Sequence, residues 1–452
     1  MIDSKKKQLL LNEPNLYKTF IILSMPVFFA NLLTSVHDIV DAYFLGQIED
    51  SVYSQAAISL TWPLLDIFMT FSMGLAIAGV SVISQNLGAG LNEEARHYEG
   101  LLFSGAIAVG SAIGITVFTV SPFILHLMGA EGEVFRCSLI YLRVRSLEVP
   151  FILIFNAFQA IRQAHGDTVT PFYISASTII LNIVMTGYFV KVLEMGIFGA
   201  AFATFLAHVL LTPVIFFMLF RKKAESRLTR DVLKFDKERF SLLFRIGLPS
   251  AVGNSVSSFG FLVLNSMILS YGEVVVAAFS IGNKFSSLLL MPMGAISTVQ
   301  ATYIGQNLGA GNELRIRKGY KTGRNLALML SITGAVCLLP LRQEAASIMS
   351  NNAEVVEVAT EYMVFVFILQ PMMGLFQNFM GVFNGSGRTR CSMVMSLSRL
   401  WVIRIPLILI FKNFTNLGRV GIWCSMVLSN FLILFVGLYM YRHIKFTSVI
   451  KK

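Results

Sequence analysis

The chain has 452 residues, of which 55% are hydrophobic and only 13% are charged. So few polar side chains cannot cover the surface of a water-soluble globule, and the composition therefore predicts a membrane protein. A net charge of +11 could also fit a nucleic-acid-binding protein, so the placement of the basic residues has to decide between the two classes.

Apolar runs long enough to cross a bilayer recur along the chain and are separated by short clusters of glycine, asparagine and charge. They predict an all-α membrane protein with twelve transmembrane helices in two parallel, pseudo-symmetric bundles of six. The approximate spans are residues 20–46, 53–84, 100–128, 138–162, 170–192, 197–220, 248–271, 274–304, 323–349, 355–385, 391–413 and 418–441.

The basic residues are concentrated before the first span, between the sixth and seventh spans, and after the last span, at residues 5–7, 221–245 and 442–452. These segments lie on one side of the membrane only if each half has six spans. The alternate loops carry acidic residues instead: Glu49, Asp50, Glu131, Glu133, Glu194 and Glu273. The positive-inside rule then places both termini in the cytoplasm, and we expect no nucleic-acid partner.

The cysteines stand singly in or beside apolar runs, at Cys137, Cys337, Cys391 and Cys424. Neither a paired spacing nor a CxxC motif is present. We therefore expect packing roles for them, with no disulfide, metal site or cofactor.

An internal repeat divides the chain. Residues 84–93 read SQNLGAGLNE and residues 305–313 read GQNLGAGNE, each after the second apolar run of its half. The pattern predicts an N-terminal half over residues 1–220, a basic cytoplasmic linker over 221–247 and a C-terminal half over 248–452. Transporters with parallel repeats hold the substrate near the repeat interface and expose it alternately to each side.

The repeated QNLGAG segment contains two glycines around a small residue, which is typical of a helix end followed by a tight turn. It lacks the strand, the lysine and the βαβ context of a phosphate-binding loop. We interpret it as a helix cap.

The first span contains three ionisable residues, although a charge at the bilayer centre costs about 3 kcal/mol on insertion scales. His37 and Asp38 precede Asp41 by four and three residues, roughly on one helical face, so the three side chains can interact. Asp41 is the predicted coupling residue. His37 and Asp38 either join a proton relay with it or are wetted and paired structurally near the helix end.

Other residues inside the spans allow both structural and functional interpretations. Pro26 removes a hydrogen bond from the first helix and is a candidate hinge. Arg145 and Glu148, three residues apart, are expected to form a local ion pair. The uncharged polar residues either join helices or bind a cation, and two methionines line a substrate cavity or pack in the core. They are Asn156, Asn182, Thr186, Thr204 and Gln377, with Met291 and Met293.

The order of several motifs resembles the multidrug and toxic compound extrusion (MATE) family over nearly the whole chain. They are VDAYFLG in the first span, QNLGAG in each half, HGDTVTP, NIVMTGYF, GAAFAT, AAFSIGNK, SRLWVIRIP and GIWCSMVLSN. The pattern is most similar to the bacterial and archaeal DinF-like branch. This resemblance implies that an aspartate in the first helix takes part in proton or sodium coupling, and that substrates leave through a cavity in the N-terminal half.

Carried over to this sequence, the resemblance makes Asp41 the coupling aspartate and places Asn156, Asn182 and Thr204 around it. The fifth helix departs from the family pattern, because Thr186 stands where relatives often have a second aspartate. Asp38 stands where relatives often have asparagine, which suggests that one carboxylate has moved onto the first helix. The C-terminal half lacks a carboxylate deep in helices seven and ten, where another branch of the family places its ion site, so the N-terminal half should hold the site. The missing aspartate in the fifth helix favours protons over sodium.

The resulting expectation is a secondary active antiporter, not an enzyme, that exports amphipathic and often cationic organic compounds in exchange for protons or sodium. We expect it to act as a monomer in a prokaryotic plasma membrane, in contact with lipid. The nearest alternative is a lipid-linked oligosaccharide flippase, although such proteins usually have fourteen spans and a cationic cavity. A major-facilitator transporter fits the loop after span two poorly, and an intramembrane prenyltransferase would need a second aspartate cluster.

Overall fold

A computed structural model describes residues 9–46, 51–221 and 227–450, and the regular structure in these ranges is entirely helical. The long helices are α1 (Leu16–Gly46), α2 (Ser51–Gly88), α3 (Asn92–Leu127), α4 (Gly132–Ala164), α5 (Val169–Val192), α6 (Gly196–Phe220), α7 (Lys237–Leu269), α8 (Glu273–Gly309), α9 (Glu313–Leu338), α10 (Arg342–Met349), α11 (Ala353–Gly385), α12 (Thr389–Phe414) and α13 (Arg419–His443). Two of them contain π-helical segments: α5 ends in Tyr188–Val192, and α12 includes Ser398–Arg404.

Ten of the described helices are long and apolar enough to cross a membrane, and the bent pair α9 and α10 makes an eleventh. The predicted fold class is confirmed. Among the predicted spans, α4 is not one of these helices, and Arg143, Arg145 and Glu148 lie in its middle. Large apolar side chains such as Ile39 and Phe123 are about 70% exposed, as expected for surfaces that face lipid.

The predicted span 323–349 is broken in the structure. α9 ends at Leu338, α10 begins at Arg342, and the two axes meet at 76°. Pro340 lies in the break. In a continuous helix it would lack a backbone N–H to donate and its ring would clash with the preceding turn.

The described chain forms two compact units. Unit 1 contains residues 29–46, 51–221 and 227–248, and unit 2 contains residues 9–28 and 249–450. Each boundary falls inside the first helix of a half and beside its proline, at 28/29 after Pro26 in α1 and at 248/249 before Pro249 in α7.

Each unit has its own apolar core. In unit 1, Leu65, Leu125 and Leu142 join α2, α3 and α4. In unit 2, one cluster surrounds Trp423 and Tyr362, whose rings lie 4.2 Å apart, and a second surrounds Tyr303 and Phe379.

The QNLGAG segments are helix caps, as predicted. Gly90 and Gly311 have φ angles of 78° and 70°, in the left-handed region where glycine lacks the steric cost of a Cβ. The next backbone N–H groups fold back onto the helix, from Leu91 to the Asn86 carbonyl and from Asn312 to the Asn307 carbonyl, both at 2.9 Å.

The described part of the predicted linker belongs to unit 1, and α7 begins inside it at Lys237. The Arg239 guanidinium donates to Glu94 at 2.9 Å, and the Arg239 backbone N–H donates to Asp236, which lowers the pKa of that carboxyl. Several predicted charges, at residues 5–7, 49–50, 222–223 and 451–452, lie outside the described residues. The predicted domain bounds and the cytoplasmic position of the linker stay predictions.

A close approach between α8 and α11 depends on small residues. A Cβ on Gly385 would lie 2.2 Å from the Ala301 carbonyl oxygen, and one on Gly381 would lie 2.7 Å from the Ser297 carbonyl. The two glycines are four residues apart on α11, a spacing that is typical of tightly packed membrane helices.

We expect Gly385→Ala to destabilise the protein by about 1–3 kcal/mol, because the backbones must separate to admit the methyl group. Gly294→Ala on α8 is the matched control, since a Cβ there meets nothing within 4 Å. Thermal unfolding in detergent compares the two, and equal midpoints would contradict the predicted close contact.

Candidate functional site

A polar network in unit 1 joins α1, α5 and α6 around Asp41. The Nε2 atom of His37 lies 3.4 Å from Oδ2 of Asp41 and 2.7 Å from Oδ1 of Asn182. On α1, His37 and Asp41 are one helical turn apart, so the helix itself sets their contact. The predicted interaction of these two residues is confirmed.

Asn182 is the centre of this network. Its Nδ2 donates to Oγ1 of Thr204 on α6 at 2.9 Å, and its Oδ1 accepts from Oγ1 of Thr186 at 3.3 Å. Asn182 and Thr186 are 2% and 1% exposed, so their polar groups are satisfied inside the protein rather than by solvent.

These bonds also assign the histidine tautomer. Because Oδ1 of Asn182 is an acceptor, Nε2 of His37 must be the donor to it. The other ring nitrogen, Nδ1, lies 3.8 Å from Asp38 Oδ1 and is free to take a second proton. In that charged form His37 would pair with both acids of α1.

Asp41 itself is only partly paired. Its side chain is 29% exposed, yet its Oδ1 atom is buried and has no hydrogen-bond partner among the described residues. A buried, unpaired carboxylate oxygen is costly unless it takes a proton or a cation. Asp38 differs, since 65% of its side chain is exposed and, among the residues that the structure describes, it contacts the network at His37 alone.

A second polar group lies beside the first and joins α4 to α6. Glu148 Oε2 lies 2.6 Å from Arg145 Nη1, which confirms the predicted ion pair, and Glu148 Oε1 lies 3.1 Å from His208 Nδ1. His208 follows Thr204 by one turn and also contacts its carbonyl at 3.1 Å. Asp41 also interacts electrostatically with Arg145 and Glu148.

Sequence reasoning missed His208. Its signal was a lone histidine inside the apolar run of the sixth span, four residues after Thr204, which had already been selected. The helical spacing alone would have placed both on one face.

Asn156 and the candidate cavity residues lie elsewhere. Asn156 on α4 donates to Ser72 on α2 at 2.7 Å rather than to the Asp41 network. In unit 2, Met293 is 1% exposed in the packed core and is closed to a ligand in this conformation, while Met291 and Gln377 are half-buried. Among the described residues, no group of three metal-binding side chains is present.

Comparison with known proteins gives a consistent result along the chain. A model of the MatE family matches residues 26–187 and again residues 249–410, which are corresponding stretches of the two halves. The probable multidrug resistance protein YoeA of Bacillus subtilis (strain 168) is 24% identical over 91% of this chain and 90% of its own length. The probable multidrug resistance protein NorM of Thermotoga maritima is 25% identical over 92% of this chain and 89% of its own.

The fold also matches a solved structure over nearly the whole chain. The outward-facing conformation of a multidrug resistance MATE family transporter of the MOP superfamily superposes with a TM-score of 0.91. The match covers 96% of each chain at 23% sequence identity.

Proposed function

Because the chain belongs to the MatE family, we propose that it is a secondary active antiporter that exports amphipathic, often cationic, organic compounds in exchange for protons. Relatives described as multidrug resistance proteins support the substrate class. The observation that carries the coupling proposal is the Asp41 carboxyl, buried on one side and held in a network of neutral and titratable groups.

In the proposed cycle, Asp41 is charged while it holds a cationic substrate and neutral once it has taken a proton. Each ligand weakens the binding of the other, because both compete for the same negative charge. The movement that follows is assigned to α1, with Pro26 as its hinge. The position of Pro26 two residues from a unit boundary supports this assignment.

The contacts of His37 favour protons over sodium. A sodium ion held by Asp41 and Asn182 would have to displace the imidazole nitrogen that already lies within 3.4 Å and 2.7 Å of their oxygens. A proton needs no such rearrangement, and His37 is itself a proton carrier.

The proposal also covers the membrane location, the topology and the oligomeric state of the protein. The protein is a multi-pass membrane protein, and we place it in the plasma membrane of a prokaryote with both termini in the cytoplasm. It would work as a monomer surrounded by lipid. Transport of this kind leaves the substrate chemically unchanged, so we assign no enzymatic activity, and the only further participant is the coupling proton.

Efflux of ethidium from proteoliposomes tests the function. With the wild-type protein, an imposed pH gradient should drive ethidium transport, and a sodium gradient at constant pH should not. Transport driven by sodium alone would overturn the choice of ion, and transport independent of both gradients would overturn antiport itself.

The position of Asp38 leads to a separate prediction. If it replaces the carboxylate that is missing at Thr186, it acts through His37, its contact within the network at 3.8 Å. We then expect Asp38→Asn to lower pH-driven efflux in the wild-type background but not in His37→Gln, because contacting residues are not additive. Unchanged efflux by Asp38→Asn alone would contradict this replacement. Asp41 would then act only with His37 and its neutral neighbours.

A further inference from the structure

Two arginines are buried in unit 2 without any carboxylate partner. Arg399 and Arg404 are 8% and 5% exposed, and no described acidic residue forms an ion pair with either. Residues 249–452 contain no aspartate, and their glutamates lie in the first three turns of helices, at Glu273, Glu313, Glu344, Glu354, Glu357 and Glu361. Buried charges in proteins are normally paired, so these two cations need an explanation.

The local backbone brings both arginines together. They occupy positions two and seven of the π-helical segment Ser398–Arg404, and a π-helix has more residues per turn than an α-helix. Residues five apart therefore lie on one face. Both side chains reach α13, where Arg404 Nε donates to Ser429 Oγ at 3.0 Å and Arg399 Nη1 approaches the neighbouring Asn430 Oδ1 at 3.4 Å.

The partners of Arg399 are weak. Its Nη1 atom lies 3.0 Å from the Met373 sulfur, its guanidinium carbon lies 4.6 Å from the centre of the Phe376 ring, and its Nε is buried without a hydrogen-bond partner. A thioether is a poor acceptor, and Met373 is flexible and half-buried. A ligand oxygen could displace it without breaking a strong bond.

The internal repeat allows the polar residues of the same helix to be compared in the two units. α5 and α12 are the fifth helices of the two halves. The first carries Asn182 and Thr186 beside acidic Asp41, whereas the second carries two guanidinium groups. The fifth helix of the repeat therefore carries neutral polar residues beside an acid of α1 in unit 1, and two cations in unit 2.

We propose that Arg399 and Arg404 form a binding site for an oxyanion, namely the carboxylate or phosphate head of an amphipathic molecule. A guanidinium fork matches such groups in geometry, and an oxyanion would supply the acceptors and the negative charge that the protein does not. The source is either an organic anion or the phosphate of an anionic membrane lipid. The site lies in unit 2 and does not depend on the coupling role of Asp41.

Binding to the protein in phosphatidylcholine nanodiscs tests this site with two chain-matched probes, laurate and dodecyltrimethylammonium. We expect laurate to bind, and Arg399→Gln with Arg404→Gln to weaken it by tenfold or more. Arg317→Gln, at an exposed arginine on α9, controls for the loss of positive charge outside the site and should leave laurate affinity unchanged. Equal laurate affinity in the wild type and the double variant would overturn the proposal.

A stability measurement separates a ligand site from a structural role. Without ligand, Arg399→Met should unfold at the same or a higher temperature than the wild type, because a buried unpaired charge is removed. A marked loss of stability would show that the arginine is satisfied structurally and would contradict the site. Nanodiscs with phosphatidylglycerol distinguish the sources: competition with laurate assigns the site to the phosphate of an anionic lipid, and undiminished laurate binding assigns it to an organic anion.

Discussion

Asp41→Asn is expected to abolish the dependence of efflux on the pH gradient. Asparagine keeps the size and polarity of the side chain but cannot take or release a proton, so substrate and proton no longer compete. The coupling free energy between two such ligands is typically about 1–3 kcal/mol, which corresponds to a roughly 5- to 150-fold change in affinity. Protonation should therefore change the ethidium affinity of the wild type by a factor within that range and leave that of Asp41→Asn unchanged, and efflux by the variant should not respond to the gradient.

Asp66→Asn is the matched control for this substitution. It makes the same chemical change at a half-buried position of α2, and Asp66 is not part of the network around Asp41. Efflux by Asp66→Asn should resemble the wild type. Full gradient-driven efflux by Asp41→Asn would show that another group carries the proton.

Glu148→Gln is expected to cause the largest loss of stability. The change removes the countercharge of Arg145, whose side chain is only 12% exposed, and weakens the contact with His208. Breaking a buried ion pair by removing one partner typically costs about 3–5 kcal/mol, because the other charge stays buried. Thermal unfolding in detergent should show the loss.

Two variants check the cause of that loss. Glu133→Gln removes the same type of contact on the same helix, but its pair with Arg136 is more than half exposed on both sides and is worth little. Adding Arg145→Met to Glu148→Gln should recover stability, since the unpaired charge is then gone. If both single glutamate variants unfold alike, the ion pair is not what stabilises α4.

Helical periodicity explains how much of the site was predictable. The contact of His37 with Asp41 and the ion pair of Arg145 with Glu148 follow from spacings of four and three residues within one helix. The fold class and the two halves followed from apolar runs and a repeated motif.

Contacts between helices were harder to predict, because they depend on helix rotation and packing. Asn156 turns to Ser72 instead of to Asp41, and His208 meets Glu148 across α4 and α6. The break between α9 and α10 was visible in the sequence as Pro340, but a proline in a membrane helix can also leave only a mild kink.

Proton release on substrate binding is the most direct test of the role of Asp41. Purified protein in weakly buffered detergent solution is mixed with ethidium while a pH indicator records the protons released. The wild type should release protons as ethidium binds, up to one per molecule. Asp41→Asn should bind ethidium more weakly and, at ethidium concentrations that saturate this weaker binding, should release none. Equal release by the two proteins would contradict the exchange of substrate for a proton at Asp41.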